Sequence, residues 1–154
     1  MINVGVISDT HGLLRPEALA ALRGSDHILH AGDIGAPEIV PELSKIAPVT
    51  AVRGNVDHGH WAIPFPLTEA VELGGRTLYI LHDRKTLDLK PEVAGFAAVI
   101  FGHTHQPLIE NKSSVLYFNP GSAGPRRFSL PISVGRIRID DKGTLHPELI
   151  PLLP

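Results

Sequence analysis

Cysteine is absent from this 154-residue chain, so neither a disulfide nor a thiolate metal site is available. Any bound metal must be held by histidine nitrogen and by oxygen, and nine histidines make such a site worth seeking. No apolar run of about eighteen residues exists to cross a bilayer as a helix, and the opening MINVGVISDT lacks the charged and apolar regions of a signal peptide. The expectation is a cytoplasmic protein with no membrane partner. An excess of basic charge is missing too. Fourteen Lys and Arg against sixteen Asp and Glu leave a formal charge of −2, which provides no field for long nucleic acid and disfavours it as a partner. No linker, repeat or low-complexity segment divides residues 1–154, so one domain is expected, burying roughly 68–70% of its unfolded surface.

Short apolar segments alternate with helical patterns at the start. Ile2 to Ser8 reads as a strand, Arg15 to Arg23 as a helix with Pro16 near its first turn, Asp26 to His30 as a strand, Pro37 to Ile46 as a helix and Pro48 to Arg53 as a strand. Strands alternating with helices imply parallel pairing. From Thr68 the pattern changes. Glu69 to Leu73 and Arg76 to Leu81 form a hairpin at Gly74-Gly75, and Ala97 to Phe101 is a buried strand. Pro107 to Glu110 and Val115 to Phe118 form a hairpin around Asn111-Lys112, and Ile132 to Ile139 turns at Asp140 to Gly143 into a last strand. The second half reads as mostly antiparallel. The fold class is α/β: two sheets, one mixed and one more antiparallel, with helices outside them in a layered sandwich.

Polar residues collect just after these strands: Asp9 and His11, Asp33, Asn55, His82, then His103 and His105. Ligands of open α/β sheets bind beyond the carboxyl ends of strands, which is where these residues fall. Asp9-Thr10-His11 spaces a carboxylate and an imidazole two residues apart, and in extended chain both point to one side, able to clasp one cation. Asp and His in a loop are more often merely solvated. Gly32 permits a sharp turn that delivers Asp33 to the sheet edge, although a turn aspartate can equally cap the next helix. Two cations ~3.5–4 Å apart repel each other and need a shared anionic oxygen, which makes Asp33 the candidate bridge. Asn55 offers a neutral amide oxygen, yet Gly54-Asn55 is also plain turn chemistry. Gly102-His103-Thr104-His105 repeats the two-residue spacing after an apolar strand and is the strongest single signal, whereas His82 taken alone reads as structural.

Together these seven resemble the calcineurin-like metallophosphoesterase family, whose Asp-x-His, Gly-Asp, Gly-Asn, His and Gly-His-x-His blocks occur here in order from Asp9 to His105. The chain is most similar to the small bacterial and archaeal phosphodiesterases, which also carry a segment like Asn119-Pro120-Gly121-Ser122. The resemblance implies a metallophosphoesterase-type α/β/β/α sandwich of two mixed sheets flanked by helices. It implies a metal-dependent phosphodiesterase acting on small phosphodiesters. Two divalent cations, most often manganese, would be bound, with iron, cobalt, nickel and zinc equally suited to the donors. By resemblance Asp9, His11 and His105 hold one metal, Asn55, His82 and His103 the other, and Asp33 bridges them; Asp33, Asn55 and His103 stand nearest the chemistry. Water activated between the metals, its pKa lowered toward ~7, would attack phosphorus in line without a covalent enzyme intermediate.

Two positions depart from the family pattern. Many relatives have a histidine directly after the asparagine, thought to protonate the leaving group; Val56 stands here, leaving His58 or His60 as nearby donors, or a good leaving group. Asp83 follows His82 where glycine is frequent, to orient a ligand histidine or to pair with Arg84. Arg126 and Arg127 could reach substrate phosphate or another subunit, and Trp61 suits the core, an interface or the pocket mouth; His27, His30 and His146 fit strands and turns. The main rival is a non-catalytic protein-binding scaffold on this fold, as in the retromer subunit; phosphomonoesterase or nuclease activity is another. Self-association into a homo-oligomer suits small members of the family, with no number fixed by the residues.

Overall fold

The computed structural model describes residues 1–154. Its elements run β1 (Ile2–Ile7), α1 (Pro16–Leu22), β2 (His27–His30), α2 (Ile39–Ser44), β3 (Val49–Ala51), β4 (Thr68–Leu73), β5 (Arg76–Leu81), α3 (Pro91–Ala94), β6 (Ala98–Ile100), β7 (Leu108–Lys112), β8 (Val115–Asn119), β9 (Ser133–Ile139) and β10 (Leu145–Pro151). They form two five-stranded sheets, ordered β10-β9-β1-β2-β3 and β4-β5-β6-β8-β7. In the first, β1 pairs in parallel with β2 and β2 with β3, while β9 and β10 add antiparallel pairs at the other edge. In the second, the central pairs β5-β6 and β6-β8 are parallel and both edge pairs are antiparallel. Both sheets are therefore mixed. This is the pair of mixed sheets that the family resemblance implies, whereas the contrast read from the residue pattern between a mixed sheet and a more antiparallel one is corrected, because the hairpins read from the sequence lie at edges and the crossovers that build the centre leave no local turn signal.

Four layers follow from three apolar clusters. Val4 and Val6 of β1, Ile137 and Ile139 of β9, Leu78 and Ile80 of β5, and Phe118 of β8 meet between the sheets. Outside the first sheet, Ile7 and Ile28 pack on Ala18 and Leu22 of α1 and on Ile39 and Leu43 of α2. Outside the second, Tyr79, Leu81, Val99 and Tyr117 are covered by Leu87, Leu89 and Phe96 on the segment containing α3. Strands buried on both faces need apolar side chains in both directions, which is why β5 and β6 read as continuous apolar runs. Helix α3 has only four residues, started by Pro91 and stopped by left-handed Gly95, too short to show a helical period. The helices α1 and α2 sit where the sequence places them, trimmed at both ends.

The β7-β8 hairpin differs from expectation in its turn. Lys112 pairs with Val115, so the two-residue loop is Ser113-Ser114, not Asn111-Lys112, which belong to β7. Both serines have positive φ, 53° and 63°, as a primed hairpin turn requires. Turn propensity favoured the asparagine, but the register is set by burial of Val115 and Tyr117 on the covered face. A non-glycine residue in the left-handed region costs about 1–2 kcal/mol. Replacing Ser113 by Asn and Ser114 by Gly together should raise the unfolding free energy by about 1 kcal/mol in urea denaturation; an unchanged or lowered midpoint would contradict this turn assignment.

Candidate metal centre

The carboxyl ends of β1, β2, β3, β5 and β6 lie along one edge where the two sheets face each other, and the loops leaving them carry Asp9, Asp33, Asn55, His82 and His103 in turn. Three backbone hydrogen bonds bind the first two loops side by side: Asp9 N to Gly32 O at 3.0 Å, His11 N to Asp33 O at 2.9 Å and Gly12 N to Ile34 O at 2.8 Å. Asp9, His11, Asp33, His103 and His105 all have positive φ, from 48° to 71°. The Asp-x-His and His-x-His spacings thus turn their side chains inward through left-handed backbone, and the extended geometry expected for Asp9 to His11 is corrected. Such strain in five non-glycine residues persists only where the surroundings over-determine it, and it collects at functional sites.

The side chains form two groups, Asp9 with His11 and His105, and Asp33 with His82 and His103, each with one donor atom per residue converging within 4.8 Å. Asp9 Oδ2 is committed, accepting from Ser8 Oγ at 2.8 Å and from His103 N at 3.1 Å. Asp9 Oδ1 is buried with no hydrogen-bond partner, although Nε2 of His105, His11 and His82 lie 3.4, 3.8 and 3.9 Å away. Asp33 divides its oxygens in the same way. Oδ1 accepts from Val56 N at 3.1 Å, while Oδ2 lies 3.1 Å from His82 Nε2 and 3.6 Å from His11 Nε2, one histidine from each group. His82 Nδ1 donates to Ala31 O at 2.8 Å, which leaves Nε2 facing the site, buried and without an aligned partner. Buried polar atoms rarely stay unpartnered. Apart from His11 Nε2 against His105 Nε2 at 3.3 Å and His82 Nε2 against Asp33 Oδ2 at 3.1 Å, these atoms crowd together without aligned hydrogen bonds, which fits oxygen and nitrogen donors aimed at a shared cation, and the donor set suits divalent first-row metals.

The electrostatics agree with that fit. Burial by itself raises the Asp33 carboxyl, but His82, the Val56 N–H and His11 outweigh it and hold it below its ordinary value. Burial lowers His82, yet the Asp33 and Asp9 carboxylates prevail and push it up. A proton on His82 thus sits where a cation would relieve the same negative charge. At His11 burial wins over Asp33 and Asp9 and lowers the imidazole, keeping its nitrogen lone pair free at neutral pH. Asn55 is exposed and lines a cavity of about 460 Å³ together with His82 and His103.

Several positioning residues went unread in the sequence. Asp57 is buried and accepts three backbone N–H groups, Ile34 at 3.0 Å, Gly35 at 2.9 Å and Gly54 at 2.9 Å, clamping the Asp33 and Asn55 loops together. Asn119 Nδ2 donates to Gly102 O at 3.1 Å and to Thr104 Oγ1 at 3.2 Å, and Ser122 Oγ donates to Asp9 O at 3.0 Å, so the Asn-Pro-Gly-Ser segment ties both histidine-bearing loops. Gly54 and Gly102 are small by necessity, since a Cβ would collide with Asp33 and with Ser8 and Asp9 respectively. His30, set aside as a strand residue, lies fully buried beneath the site. Gly32 N donates to its Nδ1 at 3.1 Å, which puts the proton on Nε2 toward Thr10 Oγ1 at 3.0 Å.

Other expectations resolve differently. Asp83 does not pair with Arg84, which instead holds Glu110 at 2.8 Å and stacks over Tyr117; Asp83 Oδ2 faces His103 Nε2 at 3.8 Å. Trp61 packs at the edge of the core beside α1 and α2. His58 and His60 line a separate cavity of about 350 Å³ that contains none of the seven residues. Arg126 bonds Leu130 O and Pro154 O, whereas the Arg127 side chain makes no hydrogen bond.

Residues 2–142 match the family model described as the calcineurin-like phosphoesterase superfamily domain. The chain is 38% identical to a probable metallophosphoesterase of Methanothermobacter thermautotrophicus over 96% of its own length and 91% of that protein's. It is 29% identical to the phosphodiesterase YfcE of Escherichia coli K12, covering 91% of this chain and 89% of YfcE. Among solved structures, zinc-complexed wild-type Vps29 of Entamoeba histolytica superposes with a TM-score of 0.75 at 22% identity, over 99% of this chain and 100% of that one. The chain belongs to the calcineurin-like phosphoesterase superfamily, a family of metal-dependent phosphoesterases.

Two measurements test this description. Asp57→Ala should cost about 2–3 kcal/mol of unfolding free energy, because three buried N–H groups lose a charged acceptor, and should weaken manganese binding in calorimetry; unaltered affinity would show that the clamp does not shape the site. Burial lowers His30 from 6.5 to about 4, only partly offset by the charges of Asp9, Asp57 and Asp33. The unfolded chain therefore binds more protons than the folded one between those values, and stability falls as pH drops from 6.5 toward 4, by about 3 kcal/mol from this group. Denaturation of the metal-free protein at pH 7 and pH 4.5 should show His30→Gln losing less stability with acid than the parent does, and equal losses would remove the assignment.

Proposed function

We propose that the protein is a metal-dependent phosphodiesterase that hydrolyses small phosphodiesters with two divalent cations bound between Asp9, His11, Asp33, Asn55, His82, His103 and His105. The observation that carries this reading is the pair of inward carboxylate oxygens, Asp9 Oδ1, buried without a hydrogen-bond partner, and Asp33 Oδ2, set against a histidine of each group. Asp9, His11 and His105 would hold one cation; Asn55, His82 and His103 the other; Asp33, whose Oδ2 faces a histidine of each group, would bridge them. When bound, two such cations supply Lewis acidity toward phosphate oxygens and acidify water for attack at neutral pH. Manganese fits this donor set and the family habit; iron, cobalt, nickel and zinc share the ligand chemistry.

The chain's own groups set the geometry. Ser8 Oγ and His103 N–H fix Asp9 through Oδ2, and Val56 N–H fixes Asp33 through Oδ1, so one oxygen of each stays directed inward. Ala31 O fixes the His82 ring in one tautomer. Asn55 and His103 stand at the cavity side, placed to meet a phosphoryl oxygen. Absence of a basic field suits a small substrate over a polymer. The second reading, a protein-binding scaffold, draws on the likeness to Vps29 and on Val56, and the intact set of seven donors weighs against it.

The deciding assay strips the protein of metal, restores manganese and compares bis-p-nitrophenyl phosphate with p-nitrophenyl phosphate. Turnover of the diester should require the metal, and Asp33→Ala should reduce kcat/KM by at least about 10³-fold. Manganese binding without turnover of either ester would favour the scaffold.

A further inference from the structure

A departing alkoxide needs its charge met, and the usual donors are missing here. Val56 has no proton to give from its side chain, which is 41% exposed, and its backbone N–H is committed to Asp33. His58 and His60 open into the neighbouring cavity, not into the one bounded by Asn55, His82 and His103. One side chain borders both spaces. Arg53 follows β3, its backbone N–H fixed to Pro66 O at 2.8 Å, and it is the only lysine or arginine among the residues lining the cavity that also holds Asn55, His82 and His103.

That guanidinium is unusual in its isolation. Arg15, Arg76, Arg84, Arg126 and Arg136 each donate to a carbonyl or a carboxylate; Arg15 and Arg53 both bury an Nε without a partner, but Arg15 still donates through Nη2, whereas the Arg53 side chain donates to nothing in the protein. The other arginines with no side-chain hydrogen bond, Arg23 and Arg127, are open to solvent and have water; Arg53 is half-buried. A buried donor left unsatisfied costs about 1–3 kcal/mol, so a half-buried cation facing a cavity is poised for an anionic acceptor. A guanidinium does not give up its proton in a protein, so it serves as a fixed cation and not as an acid.

We infer that Arg53 is a substrate-binding residue that donates hydrogen bonds to the departing oxygen of the phosphodiester, stabilising it as an anion in place of a proton donor. In that step a water oxygen forms the new bond to phosphorus, the bond to the leaving oxygen breaks with its electron pair staying on that oxygen, and Arg53 keeps its protons. The products are a phosphomonoester, the leaving-group oxyanion and a proton released to solvent. The substrate class this fits is a diester with an acidic leaving hydroxyl. The inference rests on the phosphodiesterase reading.

The test uses the manganese-loaded protein with methyl aryl phosphodiesters running from p-nitrophenyl to unsubstituted phenyl. Arg53→Ala should lose about tenfold in kcat for the p-nitrophenyl ester and on the order of 10²–10³-fold for the phenyl ester, with Arg53→Lys recovering part of the loss. A loss that is uniform across the series, or no loss, overturns the inference, because a merely structural role would not track leaving-group basicity. Inorganic phosphate binding by calorimetry gives a second readout, independent of turnover: Arg53→Ala and Arg53→Gln should weaken it about tenfold at unchanged manganese stoichiometry, and unchanged phosphate affinity overturns the inference. Should the parent protein hydrolyse no ester, the phosphodiesterase reading falls, while the phosphate measurement still decides whether Arg53 holds the anion.

Discussion

Two carboxylates lie buried against the same two histidines, His11 and His82, and much of the surrounding structure exists to keep them there. Asp9 is wholly enclosed and Asp33 nearly so, yet each has one oxygen bonded to the backbone or a hydroxyl and one turned toward histidines, that of Asp9 without any hydrogen-bond partner. Burying charge without pairing is costly, and in the absence of metal the compensation falls to His82, which takes up a proton more readily than an ordinary imidazole. A divalent cation meets the same need with more charge. The negative site thus selects its own occupants, and metal binding should be coupled to proton release.

Holding such a site demands rigid neighbours. The donors come from loops that follow five different strands, and loops alone would not fix them. Hydrogen bonds from one loop to the next replace that missing rigidity: Asp57 locks the Asp33 loop to the Asn55 loop, while Asn119 and Ser122 reach from the end of β8 to the His103 and Asp9 loops. Left-handed backbone at five of the seven donors shows how far local preference is overruled. The sandwich provides the stiffness behind this, since both faces of each central strand are buried.

The same architecture sets the surroundings from which the role of Arg53 is inferred. A family pattern that loses a histidine at Val56 keeps its other donors, and the space beside them retains a cation without a partner. Electrostatic stabilisation by a fixed guanidinium and protonation by an imidazole address the same developing charge, but only the former would restrict a phosphodiesterase to leaving groups that tolerate departing as anions.

Much was legible along the chain. Apolar runs ending in Asp, Asn or His marked β1, β2, β5 and β6, and the order of the donor blocks pointed to the family, because metal ligands must be particular residue types at particular strand ends. The Ser113-Ser114 turn and the four-residue α3 were not legible, and the mixed character of both sheets came only through the family resemblance and not from the residue pattern, since burial and crossover pairing decide these features and neither leaves a local signature. Nor was the role of Asp57 or His30, because beside a near partner each bonds a residue far along the chain, Gly35 at 22 residues and Thr10 at 20 residues respectively. The sequence by itself determined the donor types, the strand ends that carry them and the absence of any thiolate alternative. Tertiary structure alone decided which oxygens stay bare, which histidines share a cavity and which arginine faces it, because those depend on distances between loops that only the packing of two sheets brings together.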